Sequence, residues 1–104
     1  MRTAKVYVDD QYAGILCESE LDKSYRFQYL EGYCGAPVSL TMPINQPIYQ
    51  FESFPPFFDG LLPEGGQLEG LLMFGKIDRT DLFSQLMIVG NDLVGNVSVK
   101  EITA

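Results

Sequence analysis

Histidine and tryptophan are absent from this chain, cysteine occurs only twice, and no apolar run reaches about 18 residues. Without histidine, the commonest general base and the commonest transition-metal ligand are missing. Cys17 and Cys34 form no CxxC pair, which excludes a zinc site of the usual kind. They read instead as two reduced thiols with a packing role. Without a long apolar run no membrane span is expected. The opening Met1-Arg2-Thr3-Ala4-Lys5-Val6 has no apolar signal region, so the expected location is the cytoplasm. Positive charge is also scarce: 7 Lys plus Arg stand against 14 Asp plus Glu, a net charge of −7. Arg2, Lys5, Lys23, Arg26, Lys76, Arg79 and Lys100 are scattered along the chain. They make no basic stripe able to displace counterions from phosphates, so neither direct nucleic-acid binding nor binding to an anionic membrane is expected. The acidic balance suits a basic protein partner, and it serves solubility equally well.

What is present fits one domain. A chain of 104 residues, 46% apolar and 20% charged, buries about two thirds of its surface around a single core. Ala4, Val6 and Val8 alternate with Lys5 and Tyr7, the period of a half-buried strand. Asp9-Asp10 is turn chemistry, and Tyr12-Ala13-Gly14-Ile15-Leu16-Cys17 completes a hairpin. A charged loop is expected from Glu18 to Lys23. Ser24-Tyr25-Arg26-Phe27-Gln28-Tyr29 then alternates strictly, with three aromatics on one face. All 6 prolines fall between Pro37 and Pro63, and residues 32–51 hold no charge. That stretch cannot be helical. It holds at most one short strand, at Val38-Ser39-Leu40-Thr41-Met42. It either wraps the domain's own core or turns a charge-free face to a partner, as interface centres do.

From Ser53 the pattern turns helical. Ser53 is a candidate cap for a short helix that starts at Pro55 or Pro56, carries Phe57, Phe58, Leu61 and Leu62, and stops at Pro63. Pro63-Glu64 opens a second helix, with Leu68, Leu71, Leu72 and Gly75 on one face and Gly65, Gly66 and Gly70 loosening it. Thr80 is the expected cap of a third helix with Leu82, Phe83, Leu86 and Met87 as its stripe and Gly90 at its end. After Asn91-Asp92 the chain returns to strand: Leu93-Val94, a bulge at Gly95, then Val97-Ser98-Val99, joining the N-terminal sheet. The expected class is α+β: a small antiparallel sheet, made of an N-terminal meander plus a C-terminal strand, packed with about three short helices.

Little in this pattern can do chemistry. Gly60-Leu61-Leu62-Pro63-Glu64-Gly65-Gly66 is glycine-rich but fits neither GxGxxG nor GxxxxGK[ST]. Asp59 and Glu64 could pass for paired acids, but one sits late in a helix and the other suits the start of the next, with no His or Lys beside them. No serine stands in a nucleophile elbow. The residues therefore point to no catalytic group, cofactor or metal, and describe a binding module.

The block Pro56-Phe57-Phe58-Asp59-Gly60-Leu61-Leu62-Pro63-Glu64-Gly65 closely resembles the FFDGLLPEG signature of the N-terminal subdomain of HipA-type serine/threonine kinases. Val6-Tyr7-Val8 with Tyr12-Ala13-Gly14-Ile15-Leu16 resembles that family's opening hairpin, and Pro37-Val38-Ser39-Leu40-Thr41-Met42-Pro43 a further family stretch. Asp81-Leu82-Phe83 and Val94-Gly95-Asn96-Val97 resemble its closing helix and strand. The likeness spans about residues 4 to 100 and includes none of the kinase motifs. A free-standing version resembles the HipS-like antitoxins of tripartite HipBST systems. The resemblance implies a non-enzymatic antitoxin that binds and neutralises a separate HipT-like serine/threonine kinase toxin, with a HipB-like helix-turn-helix protein as third component. A non-inhibitory subunit that completes the kinase fold is the alternative. The expected partner-binding residues are Phe57, Phe58, Asp59, Leu62, Pro63, Glu64, Gly65 and Gln67. Because neighbours on a helix point about 100° apart, one of Phe57 and Phe58 is expected in the core and the other outside it. With Gly65-Gly66 after the signature and no tryptophan, that loop offers no bulky plug.

Overall fold

The computed structural model of the protein describes residues 2–19, 21, 23–91, 93 and 95–102. Its elements run β1 (Arg2–Val8), β2 (Gln11–Glu18), β3 (Tyr25–Tyr29), β4 (Ile48–Phe51), α1 (Pro56–Asp59), α2 (Gly65–Gly75), α3 (Leu82–Val89) and β5 (Val97–Glu101). The strands form one antiparallel sheet in the order β4-β3-β2-β1-β5, with helices on its inner face, so the α+β class and the return of the last strand to the N-terminal sheet are as expected; that strand pairs with β1. Among the described residues no helix is long and apolar enough to cross a membrane.

Asp9 and Asp10 both take positive φ (51° and 64°), which matches the twist of the two-residue hairpin they close. The register then shifts, because Val6 pairs with Gly14 but Tyr7 with Tyr12. Ala13 is the extra residue, and Ala13 and Gly14 are both buried. Gly14 is needed there: a Cβ would lie 2.5 Å from the Gln28 carbonyl oxygen and 2.7 Å from the Phe27 ring. The inner face carries Ala4, Val6, Val8, Leu16, Phe27, Tyr29, Val97 and Val99, and Phe58, Phe83 and Leu86 close over it. The outer face is solvated. There Tyr7 stacks on Tyr12 at 5.4 Å, with Lys100 and Lys5 over their rings.

The proline-rich stretch differs from expectation. Residues 38–42 make only an isolated bridge between Ser39 and Met42, and the strand forms later, at Ile48–Phe51. The physical reason is tyrosine. The Tyr29 hydroxyl donates to the Met42 carbonyl and accepts from the Val38 amide at 2.9 Å. Those bonds turn the segment inward and bury Val38 and Met42. Tyr33 donates to the Ala36 carbonyl at 2.5 Å and Tyr49 to the Pro43 carbonyl at 2.6 Å. The stretch therefore wraps the core at Val38 and Met42 while Leu40 stands 95% exposed.

The helix caps are also corrected. Ser53 makes no cap bond; α1 starts at Pro56 behind Pro55, ends at Asp59, and leaves Leu61 and Leu62 in the turns that follow. Thr80 does not cap α3 because its amide and hydroxyl are both taken by Asp78, at 2.8 and 2.7 Å. Asp81 caps instead, accepting from the Ser84 amide at 3.2 Å. α2 buries none of its residues fully: Leu68, Leu71, Leu72 and Gly75 are half-covered, and Met73 and Phe74 are 83% and 89% exposed. At the C-terminal end, Gly95 (φ 103°) precedes β5 rather than bulging within it, Leu93 is not in a strand, and Val94 and Asp92 lie outside the described residues.

Glu18, expected in a solvated loop, is instead the buried end of β2. Arg2 forks onto it, Nε to Oε1 at 2.7 Å and Nη2 to Oε2 at 2.8 Å. The same guanidinium reaches Asp81 at 3.0 Å and donates to Ser84 Oγ at 2.8 Å, and it sits 4.9 Å from the Phe83 ring centre. Tyr25 donates to Glu18 at 2.6 Å. One cation thus ties β1, β2 and the start of α3 together, with β3 joined through Tyr25. Burial works against ionisation of Glu18, but the hydrogen bonds from Arg2 and Tyr25 outweigh it and hold the carboxyl below the usual carboxylate range. Asp81 is likewise penalised by burial and then lowered by Arg2 and Ser84. Burial, then the bond to Glu18, pushes the Tyr25 hydroxyl well above the ordinary phenol range.

Tyr29→Phe strands the Met42 carbonyl and the Val38 amide, and is expected to cost about 2–4 kcal/mol in urea unfolding. Arg2→Ala leaves Glu18 buried without its cation. It should cost about 2–3 kcal/mol, less than a fully buried pair because Arg2 is partly exposed. The unfolded chain binds protons before folded Glu18 and Asp81 do. Their contribution is therefore complete above about pH 5 and lost as pH falls through 4 and below. Unfolding midpoints measured from pH 7 to 3 should fall in that window, with a shallower slope in Glu18→Gln.

Candidate functional site

The signature segment leaves the core at Phe58. Pro55 and Pro56 set the backbone for a single helical turn, and Phe58 points straight into the domain, 0% exposed, 6.2 Å from the Phe27 ring centre. Phe57 meets Phe58 edge-on at 5.2 Å and remains half-buried. It lines a small apolar pocket of about 250 Å³ with Pro56, Thr41, Met42, Tyr49 and Phe51. The two aromatics therefore divide between core and surface. The expectation that Phe58 binds a partner is corrected, because its ring has no accessible surface and holds the segment from beneath.

After α1 the chain turns through Gly60. The Leu61 amide bonds the Phe58 carbonyl and the Leu62 amide that of Asp59, both at 3.1 Å. Leu62 dips to 8% exposure while Pro63 stays half-covered and Glu64 open. Gly65 takes φ +60°, a conformation that L side chains rarely adopt, and this starts α2 away from the turn. The result is an open groove of about 610 Å³, lined by residues 60–64 and Gln67 on one side and by Val89 and Leu93 on the other. Its floor is aliphatic. Glu64 precedes α2, and its carbonyl accepts from the Leu68 amide, but its side chain makes no cap bond and bonds no described residue.

Of the expected residues, the groove brings together Leu62, Pro63, Glu64 and Gln67. Asp59 and Gly65 are exposed outside its lining, Phe57 faces the separate apolar pocket, and Phe58 is in the core. Val89 and Leu93 were not singled out from the sequence. Val89 falls in the expected third helix but off its expected stripe, and Leu93 reads as strand, so nothing in the linear pattern pairs them with residues 60–67.

The far wall of the groove depends on how α3 ends. The Gly90 carbonyl accepts from the Val99 amide at 2.9 Å, and a Cβ on Gly90 would lie 2.0 Å from the Val99 carbonyl oxygen. At the other end, buried Gln85 donates to the Arg79 carbonyl at 3.0 Å and fixes the connection from α2. Truncation should separate the two aromatics. Phe58→Ala removes a fully buried ring and is expected to cost about 3–5 kcal/mol, whereas Phe57→Ala should cost about 1–2 kcal/mol and leave a cooperative thermal transition.

Comparison with known proteins agrees with this geometry. The family described as HipA N-terminal domain matches residues 4–100. A Haemophilus influenzae protein of uncharacterised function is 31% identical over 101 residues, spanning 97% of this chain and 93% of that one. The solved N-terminal domain of HipA toxin superposes with a TM-score of 0.78 at 28% identity, covering 99% of this chain and 94% of that chain. A chain in the Shewanella oneidensis MR-1 complex of HipA, HipB and operator DNA shares the fold, with a TM-score of 0.76 at 19% identity. There the likeness covers 97% of this chain and 24% of the other. By sequence and by structure, this chain belongs to the HipA N-terminal domain family.

Proposed function

We propose that the protein is a HipS-like antitoxin that binds and neutralises a cognate HipA-type serine/threonine kinase supplied as a separate polypeptide. The observation that carries this reading is the division of the family segment. Phe58 anchors the fold, while Glu64 and Gln67 stand exposed and Pro63 half-covered at an open groove. Two further points support it. The Haemophilus relative matches over 93% of its own length, so nearly all of that protein is this subdomain. The Shewanella assembly brings a chain of this fold together with HipB and operator DNA, which makes a HipB-like protein the expected third component of a ternary complex.

Binding would use Phe57, Leu62, Pro63, Glu64 and Gln67, with Asp59 and Gly65 at the margin. Phe57 is the aromatic anchor in its own apolar pocket, and the groove supplies the second contact. The chain itself carries no catalytic role in this reading. A second reading, a subunit that completes the kinase fold without inhibiting it, is favoured by Gly65-Gly66, since that loop presents nothing bulky to an active site.

The test is co-expression with the neighbouring kinase reading frame, followed by gel filtration and a phosphotransfer assay. A single co-eluting complex, burying on the order of 1,200–2,000 Å², with kinase activity suppressed, is the expected result. Co-elution with activity intact selects the subunit reading, and separate elution overturns both. Phe57→Ala should weaken the complex by about 30-fold or more while the variant stays folded.

A further inference from the structure

We infer that the groove between the α1–α2 turn and the end of α3 receives an arginine side chain of the partner protein. The inference rests on the proposed partnership and specifies what that partner presents.

The lining has two parts that together match one kind of side chain. Leu61, Leu62, Val89 and Leu93 make an aliphatic floor suited to a methylene stem. Among the described lining residues, Glu64 and Gln67 supply the polar side chains. A guanidinium forks onto a carboxylate through two parallel hydrogen bonds, and its remaining N–H groups can be met by an amide oxygen such as that of Gln67. A lysine would use one of these acceptors as a point charge; the paired set favours the planar fork.

The free state of Glu64 is the second observation. Helix caps favour the short side chains of Ser, Thr, Asp and Asn. Glu64, too long for that role, makes no cap bond, and no described residue bonds its side chain. No described cation of the chain lines the groove. Arg2 is held by Glu18 and Asp81, Arg79 by Glu69, and Lys5 and Lys100 lie over tyrosine rings. The net charge of −7 favours an approaching cation and disfavours both an anionic ligand at the start of α2 and a second copy of this chain.

The test has two arms. In the first, affinity for the co-purified kinase is measured by calorimetry. Glu64→Gln is expected to weaken it by about 10-fold or more, and Glu64→Lys by about 100-fold, with recovery when the matching kinase arginine is changed to glutamate. Glu69→Gln, with the same change in net charge, should alter affinity less than about twofold. Equal losses for Glu64→Gln and Glu69→Gln, or no loss for Glu64→Lys, overturn the inference. The second arm needs no kinase, so failure of the partnership and failure of the inference remain distinct. The 15N-labelled chain is titrated with the peptide acetyl-Leu-Arg-Leu-amide and with its citrulline counterpart. Saturable amide shifts at Glu64, Gln67 and Val89 that require arginine and disappear in Glu64→Gln support the inference. Shifts spread over the other acidic residues, or equal with citrulline, overturn it.

Discussion

The burial of one phenyl ring, Phe58, determines what this domain can present to a partner. Its position is prepared across the sheet. Gly14 lacks a Cβ, the Phe27 ring settles over it, and Phe27 in turn meets both Tyr29 at 4.9 Å and Phe58. With Phe58 seated, a one-turn helix leaves Phe57 little choice but the side of the domain, and residues 60–64 must climb back to the surface. The family segment is therefore part core and part surface because of helix geometry, before any partner is considered.

The opposite wall of the groove is set by a polar device. Arg2 joins β1 to Glu18 and to the capping Asp81 of α3, so the start of that helix is fixed by charge-assisted hydrogen bonds, and its end is clasped to β5 at Gly90. By contrast α2 lies loosely on the domain, with no fully buried side chain and two large apolar residues in the open. The domain thus fixes α3, which contributes Val89 to the groove, and the α1 anchor from which residues 60–64 rise, and leaves α2, which contributes Gln67, lightly attached.

Most of the architecture was legible in the linear pattern, for identifiable reasons. Alternation over Ala4, Val6, Val8 and over Tyr25, Phe27, Tyr29 marks strands because one face is buried and the other is wet. The third helix was read from its stripe and Gly90. Long-range polar pairing was not legible. Glu18 looks like a loop charge until Arg2 lies beside it across the sheet, and Thr80 looks like a cap until Asp78 occupies its hydroxyl. The strand at Ile48–Phe51 was hidden because its neighbours are set by tyrosine hydroxyls far away in sequence rather than by periodicity. For the site, the signature block located one wall and the split between Phe57 and Phe58. Val89 and Leu93 required the tertiary fold.

In the proposed complex the groove and the Phe57 face, rather than the charge-free stretch at residues 32–51, form the partner surface. Hydrogen–deuterium exchange of the chain, alone and in complex with the kinase, tests it most directly. Exchange should slow at amides 57–68 and 89–93, with the inner strands unchanged. Protection confined to residues 32–51 or to the outer face of the sheet would contradict it.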